Sequence, residues 1–247
     1  MFDDQVPSGH FVWHTIASPA RDATTEFFKS VFGWVSWELE IVGVGHYRVL
    51  RNGDRDVAGA VEVDEDGPAS WISYVTVDDV DEAVKRGNEL GGQTMIPAVS
   101  VPMMGRYAIL SAPDGSVIAP VNLSTEAMTP PPIGQPPRTH AFCWADLESR
   151  DPEKAAPFYA SLFGWDFDES NGLFENRGEA VASLSNGSGE TSLWRAFVTV
   201  ENLAESSERI ASADGQVERG TSAGALGDDA AIAVEPSGLS FGIVKPA

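Results

Sequence analysis

The segment from Trp13 to Trp34, WHTIASPARDATTEFFKSVFGW, aligns without a gap on Trp144 to Trp165, WADLESRDPEKAAPFYASLFGW. Both copies open on Trp, break at a polar stretch, carry an aromatic pair (Phe27-Phe28, Phe158-Tyr159) and close on Phe-Gly-Trp. A chain that repeats itself must be read as a repeat first, because the repeat decides the architecture on which any motif sits. The stretch between the copies, TEAMTPPPIGQPPRTH at 125–140, holds five prolines (Pro130, Pro131, Pro132, Pro136 and Pro137), which excludes a helix or a central strand and favours an extended connection. Two domains are therefore expected, 1–124 and 141–247, joined by the 125–140 linker.

Each half repeats again, more faintly. Trp71 opens WISYVTVDDVDEAVKRGNELGG, and Trp194 opens WRAFVTVENLAESSERIASADG. In both, alternating apolar residues predict a strand, and acidic first-turn residues near Asp79 and Glu201 predict a helix start. In the first of them Val80, Ala83, Val84, Gly87 and Leu90 share one face before the glycine stop Gly91-Gly92. Helices are also expected near 20–32 and 151–162. Short strand-like runs follow at His46–Leu50, Val57–Val63, Tyr107–Leu110, Val117–Asn122, Ala180–Leu184, Ala230–Val234 and Ser240–Val244. Four repeats of strand, helix and about three strands make an α+β chain.

The pattern W-x-x-(I/L), polar turn, (F/Y)-(F/Y)-x-x-(L/V)-F-G-W, with Ala112-Pro113-Asp114-Gly115-Ser116 further on, resembles the vicinal oxygen chelate superfamily, which includes glyoxalase I, extradiol dioxygenases, and fosfomycin and bleomycin resistance proteins. The resemblance covers nearly the whole chain. It implies two tandem domains, each of two βαβββ repeats that curl a mixed sheet into a cup, with the ligand site inside. Repeats may pair as neighbours (1+2, 3+4) or exchanged (1+4, 2+3); both fit the sequence.

Metal-using members place a His at the start of a repeat's first strand and a Glu late in its last. Carried over, the His positions fall on Trp13, Trp71, Trp144 and Trp194, and the Glu positions on Ala119 and Gly242. None of these side chains offers the imidazole, thiolate or carboxylate a divalent ion needs. No metal and no cofactor is therefore expected. His10 and His14 lie four apart on a strand, about 13 Å, too far to share an ion; alternation sends His14 to the face opposite Trp13.

The aromatic count takes on meaning here. Seven tryptophans are present, four of them at these equivalent positions. Large polarizable rings suit stacking on a flat apolar ligand, and equally suit filling a core. Trp34 and Trp165, in Phe-Gly-Trp, are expected to be structural. Tyr47 on an early strand, and Met103, Arg106 and Tyr107 in PMMGRY, complete the candidate ligand-binding set with Trp13, Trp71, Trp144 and Trp194. The corresponding stretch of the second half, GTSAGALGDDAAI, lacks aromatic and basic groups, so the first cup is expected to be the occupied one.

The chain carries 16 Lys+Arg against 37 Asp+Glu, a net charge of -21 that both halves share. That surface repels nucleic acid and anionic membranes. The single Cys143, in AFCWADL, rules out a disulfide framework and is expected to be a buried thiol. Asp64-Glu65-Asp66 reads as a solvated turn. G-x-S-x-G, Walker lysine and G-x-G-x-x-G motifs are absent. No long apolar run or signal peptide is seen, which gives a cytoplasmic expectation.

The leading expectation is a metal-independent small-molecule binding protein holding an apolar or aromatic metabolite, as monomer or homodimer. The alternative is a glyoxalase- or dioxygenase-type enzyme, a lyase or oxidoreductase, working without metal or with one held by unexpected residues such as His46 and Glu62. A third is an interaction scaffold, with filled cups and an apolar patch elsewhere.

Overall fold

The computed structural model describes residues 6–41, 45–64, 67–102, 104–124, 138–187, 189–219 and 224–245. The chain runs β1 (Phe11–Ser18), α1 (Arg21–Phe32), β2 (Val35–Ile41), β3 (Gly45–Asn52) and β4 (Arg55–Glu62). A second repeat follows: β5 (Ser70–Thr76), α2 (Val80–Glu89), β6 (Gln93–Val101), β7 (Gly105–Ser111) and β8 (Val117–Leu123). The third comprises β9 (Phe142–Ser149), α3 (Pro152–Phe163), β10 (Asp166–Asp168), β11 (Leu173–Asn176) and β12 (Glu179–Asn186). The fourth comprises β13 (Leu193–Thr199), α4 (Leu203–Ser212), β14 (Gln216–Arg219), β15 (Ala230–Val234) and β16 (Ser240–Val244). Most of the proline-rich 125–140 stretch, and Glu65 and Asp66, lie outside the described residues.

Local chemistry sets the helix ends. Asp79 and Asn202 cap α2 and α4, each accepting two backbone N–H bonds. Asp151 caps α3, which opens on Pro152. The glycine of Phe-Gly-Trp closes α1 and α3: Gly33 and Gly164 both take φ 71°, the left-handed turn that glycine enters without strain. The tryptophan that follows is anchored in each case. Trp34 donates its Nε1 hydrogen to the His140 carbonyl at 3.0 Å, and Trp165 to the Gly9 carbonyl at 2.9 Å.

The strands form two mixed eight-stranded sheets, in the orders β2-β3-β4-β1-β5-β8-β7-β6 and β10-β11-β12-β9-β13-β16-β15-β14. Within a repeat, the first strand pairs parallel with the last, as in β1 with β4 and β13 with β16, and the remainder are antiparallel. This is the tandem α+β fold the resemblance implies.

Packing divides the chain by a different rule. One compact unit gathers Met1–Trp13, Ser73–Gly134 and Leu147–Trp194; the other gathers His14–Ile72, Gln135–Asp146 and Arg195–Ala247. Repeats 2 and 3 thus share one core, and repeats 1 and 4 the other. In the 1+4 unit, Phe28 meets Trp34, Trp71 and Phe241 at ring separations of 5.7, 5.7 and 5.1 Å, with Ile210 of α4 in the same cluster. Each such fully buried side chain contributes roughly 1.5–3 kcal/mol. Thr24 of α1 and Ser237 share a hydroxyl hydrogen bond at 3.2 Å. In the 2+3 unit, Trp194 packs on Tyr159 at 5.0 Å, the Tyr159 hydroxyl meets Ser116 Oγ at 2.7 Å, and Ser149 donates to the Asp114 carboxylate at 2.7 Å.

Candidate functional site

Each sheet has one face against helices and one without. In the 1+4 unit Ile16, Leu50, Ala58 and Ala60 join the helix-side core, so strand alternation turns Thr15, Tyr47 and Gly59 to the helix-free face, while Trp13, of the same parity on β1, falls in the 2+3 unit. There the Thr15 and Tyr47 hydroxyls meet at 2.8 Å, buried. Thr15 registers against Gly59, and the Tyr47 ring lies over that glycine. In the 2+3 unit the matching face carries Tyr74 and Tyr107, ring centroids 5.8 Å apart, with Tyr74 in register with Ala119. Burial raises the Tyr107 phenol, which stays protonated at neutral pH.

The four tryptophans separate into two pairs. Trp13 and Trp144 stand eight residues before the first residue of their helices, Arg21 and Pro152. Trp71 and Trp194 stand nine before Val80 and Leu203. A one-residue difference in a strand reverses the face. Trp71 and Trp194, 3% and 1% exposed, accordingly lie in the helix-side cores, and Trp71 donates to the Ser240 carbonyl at 2.9 Å. Trp13 and Trp144 are only partly buried. The expected fourfold equivalence is therefore corrected: the residues in register with Trp13 are Ile72, Trp144 and Arg195.

Arg195 opens a feature that sequence reasoning missed. In the 1+4 unit its guanidinium is buried, 3.4 Å from the Asp146 carboxylate, and its Nε donates to Ser240 Oγ at 2.8 Å. Trp144 lies on the same side of β9 by alternation, and Phe197 on the same side of β13. The Phe197 ring covers Gly242, its register partner on β16. Cys143 packs beside this group, its thiol pushed up to about 12 by burial, which leaves it inert as a nucleophile at neutral pH.

Arg106 and Tyr107 are consecutive on β7 and face opposite ways, so the structure does not bring them into one pocket. Arg106 pairs with Asp81 at 2.7 and 2.9 Å and lines an open cavity of about 460 Å³ with Ser100, Pro102, Asn122 and Ser124. Met103 lies outside the described residues. His14 is buried against Phe142 and Trp71. His10 Nε2 accepts a hydrogen bond from Asn176 Nδ2 at 3.2 Å. His46 and Glu62 are exposed on β3 and β4. No cluster of three His, Cys, Asp or Glu side chains suited to a metal occurs among the described residues. At the positions where the resemblance implies metal donors stand Trp13, Ile72, Trp144 and Arg195, with Ala119 and Gly242 opposite Tyr74 and Phe197. That donor set does not fit a divalent ion.

No protein-family model matches the chain. CFP32 of Mycobacterium tuberculosis (strain CDC 1551 / Oshkosh), provisionally named a glyoxylase, is 32% identical over 113 residues, 45% of this chain and 43% of its own length. The anthracycline biosynthesis protein DnrV of Streptomyces peucetius is 27% identical over 122 residues, 43% of this chain and 44% of its own. These matches thus span less than half the length of the curated relatives. Among solved structures, the 2,3-dioxygenase LapB from Pseudomonas sp. KL28 superposes with a TM-score of 0.66 at 13% identity, covering 98% of this chain and 94% of that one. The Mn(II)-bound glyoxalase from Novosphingobium aromaticivorans gives 0.63 at 13%, covering 96% and 82%. At that identity the likeness is one of fold. The repeat motifs, the sheet order and these relatives together support the vicinal oxygen chelate superfamily.

Proposed function

We propose that this protein binds a planar, largely apolar organic molecule without the help of a metal ion. The observation that carries the reading is the placement of Trp13 and Trp144. They stand where the superfamily resemblance puts a metal-binding His, on helix-free faces and only partly buried, whereas Trp71 and Trp194 are spent on the cores. A partly exposed indole offers a flat apolar surface for stacking. The name of DnrV supports a polycyclic aromatic as the first compound to try.

Calorimetric titration of the purified protein with an anthracycline aglycone tests this, with metal analysis of the same sample. Saturable binding that EDTA leaves unchanged is the expected result. Stoichiometric zinc, iron or manganese, together with turnover of a methylglyoxal–thiol adduct or a catechol, would replace it with the enzymatic reading. The absence of binding across a panel of planar aromatics would remove it.

A further inference from the structure

The open cavity of about 460 Å³ beside Arg106 is separate from the helix-free face that carries Tyr74 and Tyr107, because Arg106 and Tyr107 point to opposite sides of β7. It lies within the 2+3 unit, where the ends of β6, β7 and β8 meet. Gly105 permits that junction. A β-carbon there would lie 2.1 Å from the Asn122 main-chain oxygen and 2.7 Å from the Ser124 nitrogen, so only a glycine lets β7 close on β8 and bring Asn122 and Ser124 to the cavity.

The wall holds hydrogen-bonding groups of both kinds. Arg106 donates from Nε and Nη2 to the two Asp81 oxygens, at 2.9 and 2.7 Å, and from Nη1 to Ser100 Oγ at 3.2 Å. Its guanidinium is thus held in one plane, with N–H groups still to donate. Asn122 uses Nδ2 on the Val77 and Asp78 carbonyls, at 3.1 and 2.9 Å, which leaves Oδ1 as an acceptor. Ser124 is the exception. Its hydroxyl is shut off from solvent and has no hydrogen-bond partner among the described residues, a state that costs stability until something bonds it. Val101 and Pro102 add an apolar patch to the same wall.

We propose that this cavity is a second ligand site, for a neutral sugar, independent of the aromatic ligand proposed above. Charge removes the other classes. The guanidinium is answered by Asp81, so an anion meets no net positive charge, in a chain of net charge -21. No carboxylate lines the cavity to receive a cation. What fits is an uncharged ligand that donates and accepts in turn. Sugar hydroxyls do both, one for the unmet Ser124 hydroxyl and others for Arg106 and Asn122, while the C–H face of the ring suits Val101 and Pro102. An open cavity buries less of its ligand than an enclosed one, so dissociation constants of about 1 mM are expected.

Amide NMR of the isotope-labelled full chain, titrated to about 50 mM with the methyl glycosides of glucose, galactose, mannose and fucose, tests the proposal. The amides of Ser100, Arg106, Asn122 and Ser124 should shift saturably with at least one of them, and less with glucuronate or glucosamine. Ser124→Ala should weaken binding at least tenfold. Its sugar-free urea midpoint should stay unchanged or rise, because the hydroxyl removed has no partner; a serine with a merely structural role would lower it. Arg106→Gln should also weaken binding at least tenfold. No saturable shift with any of the neutral glycosides, tighter binding of the charged sugars, or unchanged binding by Ser124→Ala would overturn the proposal.

Discussion

The Tyr47 hydroxyl lies 1.7 Å from the point a β-carbon on Gly59 would occupy. The glycine is thus required by a side chain on the neighbouring strand β3, and the Tyr47–Thr15 bond at 2.8 Å fixes where that side chain ends. Gly59→Ala should destabilise the protein by about 1–3 kcal/mol through overpacking. In a Tyr47→Ala background the same change should cost little, a coupling that urea unfolding of the four proteins measures directly.

The buried pair of Asp146 and Arg195 makes a second test. Two charges out of water depend on each other, and removing one strands the other. Asp146→Ala should cost about 3–5 kcal/mol, more than the double replacement Asp146→Leu with Arg195→Met. Denaturant midpoints of the three variants decide it; a double variant as unstable as the single would contradict the pairing.

Stability should fall on acidification in a way that His14 governs. Burial with its ring against Phe142 pulls the His14 pKa down from 6.5 to about 3. The folded imidazole stays neutral while the unfolded one binds a proton below pH 6.5. The unfolded state therefore gains protons first, and stability drops by up to about 1.4 kcal/mol per pH unit between 6.5 and 3. His14→Met should flatten this part of the profile, as read from urea midpoints across the same pH window.

The two tryptophan pairs should respond differently to substitution. Trp13→Phe and Trp144→Phe should reduce ligand-induced fluorescence quenching and change stability little. Trp71→Phe and Trp194→Phe should preserve the quenching and lower stability by on the order of 2 kcal/mol, through lost packing in the cores. Equal quenching losses from all four would return them to a single class.

The split between those pairs also shows where sequence reading stopped. Asp79, Asn202, Asp151 and the Phe-Gly-Trp glycines are local signals, each decided within one turn, and the helices and repeats were legible from them. Aligning the repeats on tryptophan placed Trp71 and Trp194 one residue out of phase, and in a strand one residue is the whole difference between core and open face. Counting back from the caps Asp79 and Asn202 would have found Ile72 and Arg195. β6 carries no legible strand pattern, because Pro97 and the small residues around it interrupt the alternation that marks a strand. The Asp146–Arg195 pair had no local sign at all, since its members stand on strands 49 positions apart.

The exchanged cores carry a consequence for synthesis. Trp71 rests on Ser240, 169 residues later, and Phe28 on Phe241. A nascent chain that has delivered its first two repeats has made the helix α1 but not the strands and helix that cover it. The apolar side of α1 therefore waits, exposed, until nearly the last strand emerges. Such long-range closure slows folding and leaves an aggregation-prone interval. The first repeat of this protein is held open by its order along the chain, and the fourth repeat is the stitch that closes it.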